Sequence, residues 1–288
     1  MTERITTRAQ IPLAKRIVVK VGSSSVSGVN AAQIPLLVDA LAAAHERGAE
    51  VILVSSGAIA TGMPYLKLNG RPSDLATQQA AAAVGQNVLI FRYQESLDRF
   101  RIVAGQVLLT AGDLENPAHR SNAQRAMERL LALRILPIVN ENDTVATHEI
   151  RFGDNDRLAA LVSQLVGADL LLLLSDVDAL YTKPPSDAGA ERIDEVAFED
   201  SLEQVEFGGI GDTGVGTGGA RTKVSAAKMA ASSGTPVLLT STEFIGRALA
   251  GEQLGTWFSC ETAPSAPVHD RLVRALATEP VSPAERRV

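Results

Sequence analysis

The chain has few of the residues that build redox, metal or nucleophilic sites. Cys260 is the only cysteine among 288 residues, so no disulfide can form within the chain, which fits a reducing cytoplasm. The four histidines are scattered, without the spacing of metal ligands. No serine–histidine–aspartate or cysteine–histidine arrangement is apparent. We therefore expect a cytoplasmic protein whose chemistry does not depend on a nucleophilic side chain.

Long apolar runs and long basic runs are also missing. The apolar run LLLLL at 170–174 is far shorter than the roughly 20 residues that a membrane-spanning helix needs. The N-terminal stretch MTERITTRAQIPLAK has neither the apolar core nor the cleavage site of a secretory signal. With 27 basic and 33 acidic residues the net charge is −6, and no basic cluster stands out. These absences argue against a membrane or nucleic-acid partner.

Short apolar segments alternate with longer amphipathic ones. The apolar segments are rich in Val, Ile and Leu and almost continuously hydrophobic, which is typical of strands buried on both faces. This alternation predicts an α/β fold with a mostly parallel central sheet and helices on both sides. The predicted strands are 16–21, 50–55, 103–109, 135–140, 169–175 and 236–240, and the predicted helices are 31–47, 74–99, 119–133, 155–166 and 219–233.

In a sheet of this kind the functional loops lie at the carboxyl ends of the strands. The segments that follow four of the predicted strands are small, polar or acidic: GSSS, SGAIATG, ENDTVA and DVDALYT. The Ser-Asp pair that ends the fifth strand, Ser175 and Asp176, can either cap a turn or receive a nucleotide. The sequence therefore predicts one functional crevice lined by several loops.

The glycine-rich stretch GDTGVGTGGARTK at 211–223 fits neither of two common nucleotide motifs. The G-x-G-x-x-G match at 209–214 does not follow a buried strand and does not open a helix directly. Lys223 follows a threonine, whereas a Walker A loop needs Gly-Lys-Ser/Thr. A glycine loop that leads into a helix, with Lys223 in its first turn, predicts an anion site, and the alternative is a surface loop with an ordinary helical lysine.

Two further segments carry charge where burial is expected. Lys20 lies inside the apolar run RIVVKV, where a charged side chain is costly unless it is paired, functional or extended towards the sheet edge. Acidic and amide residues crowd NENDTVATHEIRFGDNDRL at 140–158, which predicts a polar-ligand or Mg²⁺ site, with a short hairpin strand at 144–152. Two lysines on separate loops, together with these acids and N–H-rich turns, suit phosphoryl transfer.

Seven motifs in order carry a family resemblance over residues 16–258. VVKVGSSS, VSSGAIATG, QQAAAAVGQ, GQVLLTAGD, NENDTVATHEIRFGDNDRL, LLLLSDVDALYT and GVGTGGARTK resemble the glutamate 5-kinase family of the amino acid kinase superfamily. The resemblance implies a three-layer αβα sandwich that binds ATP and L-glutamate end to end across the carboxyl edge of the sheet. It also implies phosphorylation of the glutamate side-chain carboxylate to L-glutamyl 5-phosphate, the first step of proline biosynthesis, with Mg²⁺ bound through ATP and without a direct protein ligand.

The resemblance also implies the roles of individual residues. Lys20 and Lys223 would flank the transferred phosphoryl group, and Asp156 would orient both lysines. Ala220 stands where the family commonly has methionine, which changes packing near the nucleotide. The implied glutamate-binding residues are Ser56, Gly57, Asp143 and Asn155, and the implied ATP-binding residues are Lys20, Ser175, Asp176, Thr217, Gly218, Gly219, Ala220, Arg221, Thr222 and Lys223.

We expect a poorly ordered N-terminal extension at 1–15, a kinase domain at 16–260, and a short helix at 269–277 within a flexible tail at 261–288. Many family members carry a further RNA-modifying-enzyme-like (PUA) domain, and this chain stops before one could form. The resemblance implies a homo-oligomer and proline feedback inhibition at the glutamate site. Two alternatives stay open: a kinase of the same fold with another carboxylate or phosphate substrate, and a non-catalytic amino-acid or nucleotide sensor.

Overall fold

The computed structural model describes residues 4–146, 155–207 and 219–260. Thr217, Gly218, most of the predicted hairpin strand at 144–152, and the predicted helix and tail at 261–288 lie outside the described residues. None of the helices in these three segments has the length and apolar character needed to cross a membrane.

An eight-stranded sheet runs through the centre of the described chain. The strands of the described chain are β1 (Arg16–Lys20), β2 (Glu50–Val54), β3 (Ala104–Leu109), β4 (Leu136–Glu141), β5 (Leu170–Ser175), β6 (Leu180–Tyr181), β7 (Arg192–Ile193), β8 (Glu195–Val196), β9 (Val237–Ser241) and β10 (Thr256–Phe258). All but β6 and β7, which pair with each other in a separate two-stranded sheet, form the central sheet in the order β3-β4-β2-β1-β5-β9-β10-β8. Neighbouring strands are parallel from β3 to β9. The edge strands β10 and β8 are parallel to each other, and β10 is antiparallel to β9.

Helices cover both faces of this sheet, which confirms the predicted three-layer α/β architecture. All six predicted strands and all five predicted helices are present, with ends within three residues of prediction. The sequence analysis did not predict the short elements β6, β7, β8, β10, α1, α3, α5 and α9. The helices are α1 (Ser23–Val26), α2 (Ile34–Glu46), α3 (Ala58–Gly62), α4 (Leu75–Asp98), α5 (Ala111–Glu115), α6 (Pro117–Ala132), α7 (Asn155–Val166), α8 (Ala220–Ser232) and α9 (Ile245–Leu249).

Local capping signals explain where two of the long helices begin. Asp74 precedes α4, and its carboxylate accepts a hydrogen bond from the Thr77 backbone N–H at 2.8 Å. Asn116 accepts from two backbone N–H groups at the start of α6, and Pro117 follows as the first helical residue. Both arrangements satisfy N–H groups that have no partner within the helix.

The alternation of side chains along β1 separates two hydrophobic cores. Ile17 and Val19 pack with buried residues of α2, α4 and α9 on one face of the sheet. Val18 packs with buried residues of α6, α7 and α8 on the other. Lys20 shares the face of Val18, because side chains two apart in a strand point to the same side. This places its ammonium group on the face of α7 and α8.

The N-terminal residues differ from the expected poorly ordered extension. Arg8–Leu13 form a 3₁₀-helix, and Ile5 and Ile11 are buried in the core beside α2 and α9. The Arg8 side chain donates hydrogen bonds to the carbonyl oxygens of Leu254 at 2.9 Å and Gly255 at 3.2 Å. The sequence of this segment has neither helical nor strand periodicity. Its packing against the domain through Ile5, Ile11 and the buried Arg8 could therefore not be predicted from the sequence.

The strand order creates a crevice between β1 and β5. The chain leaves β1 towards β2 on one side, and it leaves β5 towards β9 on the other. In open parallel sheets, ligands bind where the connections diverge in this way, outside the carboxyl ends of the strands. Lys20, at the carboxyl end of β1, pairs with Leu173 of β5 and Val54 of β2 and so lies at this crevice.

Helices α3 and α4 cross with their backbones in direct contact. A Cβ atom added at Gly85 would lie 1.7 Å from the carbonyl oxygen of Ala58, and one added at Gly62 would lie 1.9 Å from that of Ala81. Only glycine allows so close an approach. Because Ala58 is the first residue of α3, this crossing also positions the turn between β2 and α3.

We expect Gly85→Ala to destabilise the protein because the added methyl group meets rigid backbone. Overpacking of this kind costs about 1–3 kcal/mol, which lowers Tm by about 2–4 °C for each kcal/mol. Thermal unfolding of Gly70→Ala provides the control, since a Cβ at this exposed glycine would meet no atom within 4 Å. Equal Tm values for the two variants would contradict the tight crossing.

Candidate functional site

A buried carboxylate lies between two lysines at the crevice. Asp156, the second residue of α7, is fully buried, and Lys20 is 3% exposed. The Lys20 Nζ lies 2.5 Å from Asp156 Oδ1, and the Lys223 Nζ lies 3.1 Å from Asp156 Oδ2. Lys223 is in the first turn of α8, as predicted. The structure thus brings together all three residues predicted to be catalytic, which are far apart in the chain.

The charges of the two lysines control the ionisation of Asp156. Burial by itself would raise the pKa of this carboxyl, but the nearby ammonium groups of Lys20 and Lys223 outweigh burial and lower the pKa to about 2. Asp156 is therefore ionised at neutral pH. One carboxylate thus faces two ammonium groups.

The start of α8 provides further polar groups beside this cluster. Gly219 is the N-cap residue, and its carbonyl accepts from the Thr222 hydroxyl at 2.9 Å. The same hydroxyl lies 3.4 Å from Asp156 Oδ2. Arg221 is exposed, and its guanidinium carbon lies 5.4 Å from the centre of the Phe207 ring. Ala220 is exposed as well.

Three of the predicted glutamate-binding residues meet on the β2 side of the crevice. The Asn155 side-chain amide donates to the Ser55 carbonyl at 2.8 Å and to the Ser56 hydroxyl at 3.0 Å. Gly57 has a φ of +92°, a left-handed conformation that favours glycine, and it precedes the first residue of α3. A Cβ at Gly57 would lie 3.4 Å from Ser23 Cα, so the turns after β1 and β2 are in contact here.

The remaining predicted residues lie along the same edge of the sheet. Asp143 is buried in the turn after β4. Ser175, the last residue of β5, donates its hydroxyl hydrogen to the exposed Asp176 carboxylate at 3.0 Å. Ser175 also pairs with Ser241 at the end of β9. The predicted residues that the structure describes therefore lie at the carboxyl ends of β1, β2, β4 and β5 and at the starts of α7 and α8.

Two further groups support the site. Asn140 belongs to the polar cluster predicted at 140–158, although no individual role was predicted for it. It is buried in β4, and its side-chain oxygen lies 3.0 Å from the Asn155 amide nitrogen. The buried Thr242 hydroxyl donates to the Ser25 hydroxyl at 2.9 Å, which ties α1 to the segment after β9. No pattern in the sequence indicated this contact.

Comparison with known proteins identifies the family. The amino acid kinase family profile matches residues 15–241. The chain belongs to the amino acid kinase family. Its buried lysine–aspartate–lysine cluster and the turns around it all fall within the matched residues.

Similar proteins in this family carry a more specific name. The protein named glutamate 5-kinase in Clavibacter sepedonicus is 76% identical over 252 residues, which cover 88% of this chain and 97% of that protein. The one in Leifsonia xyli is 75% identical over the same share of this chain and 93% of its own length. The one in Streptomyces coelicolor is 53% identical over 270 residues, 92% of this chain and 71% of that protein.

Solved structures support the fold independently. A carbamate kinase from Giardia lamblia, bound to AMP-PNP, superposes with a TM-score of 0.64 at 15% identity, over 87% of this chain and all of that one. A second structure of Giardia carbamate kinase gives a TM-score of 0.61 at 16% identity, over 86% of this chain and 99% of that one. At this level of identity the likeness establishes the fold alone.

The low pKa of Asp156 predicts a specific loss of stability in acid. A carboxyl whose folded-state pKa is depressed stabilises the protein above its unfolded-state pKa, and that stabilisation is lost as pH falls through the folded-state value. With a pKa of about 2 against an ordinary 3.8, the contribution is about 2 kcal/mol, lost between about pH 5 and pH 2. Urea unfolding of the wild type and Asp156→Asn across this range measures it, because the difference in stability between them should shrink by that amount. A difference independent of pH would contradict the assignment.

Proposed function

We propose that this chain is an ATP-dependent glutamate 5-kinase, which transfers a phosphoryl group to the side-chain carboxylate of L-glutamate. The observation that carries this proposal is the convergence of Lys20 and Lys223 on Asp156, next to the turn of Ser56 and Gly57 to which Asn155 is hydrogen-bonded. The identity of 76% to the glutamate 5-kinase of Clavibacter sepedonicus supports the choice of substrate.

The two lysines would neutralise charge on the phosphoryl group as it moves. Their ammonium groups rest on the two oxygens of one carboxylate, so both can reach oxygens of a single phosphoryl group. Phosphoryl transfer depends mainly on positioning and electrostatic stabilisation. Asp156 holds both cations in place from the buried side.

The acceptor needs no general base. A glutamate side chain ionises near pH 4.3, so its carboxylate is already a nucleophile at neutral pH. The balance of the reaction is therefore simple: a carboxylate oxygen forms a bond to the γ-phosphorus of ATP while the bond to the bridging oxygen breaks, and ADP leaves. The described residues beside Asp156 include no histidine positioned to remove a proton, and none is required.

The turn after β2 would hold the amino acid. We assign glutamate contacts to Ser56, the Gly57 N–H, Asp143 and Asn155. The Asn155 amide already joins this turn to α7, one residue from Asp156. Glutamate bound here would therefore be adjacent to the two lysines. Proline shares the α-carboxylate and amino nitrogen of glutamate, so we expect it to compete for this site.

The nucleotide would occupy the side formed by β5 and α8. Ser175, Asp176 and the start of α8 are the described residues that we assign to ATP, together with both lysines. We assign Mg²⁺ to ATP, without a direct protein ligand. Such an ion, bound with the nucleotide, would lower the charge repulsion that the carboxylate meets.

The substrate assignment is tested by coupled product formation. We expect the protein, with ATP and Mg²⁺, to form ADP and, when hydroxylamine traps the acyl phosphate, a hydroxamate of L-glutamate. L-aspartate, N-acetyl-L-glutamate and carbamate are the comparison substrates. Turnover of one of these in place of glutamate would show that the protein is a kinase with a different substrate. Nucleotide binding without any turnover would favour a sensor.

Removal of either lysine should slow the chemical step. We expect Lys223→Ala and Lys20→Ala to reduce kcat by about 10²-fold or more, the scale of a lost transition-state charge contact. Lys228→Ala is the matched control. Lys228 lies on α8, as Lys223 does, but its ammonium group donates to the Asp200 backbone carbonyl at 2.5 Å and not to Asp156. Near-wild-type kcat in a folded Lys223→Ala variant would refute the proposed mechanism.

A further inference from the structure

The buried Tyr93 contacts Ser55, which directly precedes the Ser56–Gly57 turn that we assign to glutamate. This residue lies on α4 and is fully buried, with its ring in the core that also contains Leu89 and Leu97. Its hydroxyl lies 2.9 Å from the Ser55 hydroxyl. Burial raises the pKa of Tyr93, so the hydroxyl keeps its proton and can donate. The family resemblance assigned no role to either residue.

Every polar group of Ser55 takes part in a hydrogen bond. Its N–H donates to the Val139 carbonyl of β4 at 2.8 Å, and its carbonyl accepts from the Asn155 amide at 2.8 Å. Its hydroxyl donates to the Ser56 carbonyl at 3.2 Å. The Ser55 hydroxyl has one hydrogen, so when it donates that hydrogen to the Ser56 carbonyl, Tyr93 is the donor in the bond between the two hydroxyls. In this arrangement the hydrogen-bond chain runs from Tyr93 to Ser55 to the Ser56 carbonyl.

The Ser56 carbonyl belongs to the same peptide unit as the Gly57 N–H. In a trans peptide these two groups point in opposite directions, so a bond that holds the carbonyl also sets the direction of the N–H. Gly57 has a left-handed φ of +92°, a position at which a glycine peptide has the freedom to rotate unless something restrains it. The bond from the Ser55 hydroxyl provides that restraint.

We propose that Tyr93 is a positioning residue that, through Ser55, orients the Ser56–Gly57 peptide so that the Gly57 N–H faces the carboxylate of the amino-acid substrate. The inference rests on the proposed function, because it concerns the site assigned to glutamate. Tyr93 itself touches no substrate. Its effect should therefore appear in the binding of the amino acid and leave the binding of ATP unchanged.

The test compares Tyr93→Phe, Ser55→Ala and the double variant. We expect Tyr93→Phe to raise KM for glutamate about 3- to 10-fold, the range of a lost neutral hydrogen bond, with kcat and KM for ATP changed by less than about twofold. The double variant should match Ser55→Ala alone, because the effect of Tyr93 passes through Ser55. Tyr65→Phe, at a tyrosine that is 59% exposed, is the control.

A second measurement does not depend on activity. The backbone amide resonance of Gly57 should shift in Tyr93→Phe and Ser55→Ala, and stay in place in Tyr65→Phe. An unchanged KM for glutamate and an unmoved Gly57 resonance would overturn the inference, as would additive effects in the double variant. If the wild type phosphorylates a different carboxylate, the glutamate assignment fails, and the same variants measured with that substrate decide the role of Tyr93 separately.

Discussion

The ion pairs of Asp156 with Lys20 and Lys223 are the interaction on which the site depends. A buried carboxylate is costly unless cations compensate it, and two of them do so here. The three residues come from β1, α7 and α8, so the cluster also fixes these elements relative to one another. In the proposed transfer, a phosphoryl group would meet cations that are already oriented, which would reduce the reorganisation needed.

The amide of Asn155 connects this charged cluster to Ser55 and Ser56, in the turn that we assign to glutamate. Asn155 and Asp156 are consecutive residues at the start of α7, one directed at Ser55 and Ser56 and the other at the lysines. A single helix end thus sets the relation between the proposed acceptor site and the phosphoryl site. Substrate binding and charge compensation are separate tasks, but the backbone of two adjacent residues determines the distance between them.

Much of this arrangement could be predicted from sequence because its signals are local. Lys20 interrupts an apolar strand, and the strand–helix alternation places every crevice loop at one edge of the sheet. Tyr93 could not be selected, because an aromatic residue in a long helix has the pattern of an ordinary core position. The attachment of Arg8 likewise depends on carbonyls nearly 250 residues away in the chain. The hydrophobic periodicity of a sequence does not predict such a contact.

The crossing of α3 and α4 at Gly62 and Gly85 has a mechanical consequence. With backbone against backbone, no side chain between the helices can change rotamer to absorb a displacement. A displacement of α4 at this crossing would therefore be passed directly to α3, and so to the turn at Gly57 that precedes α3.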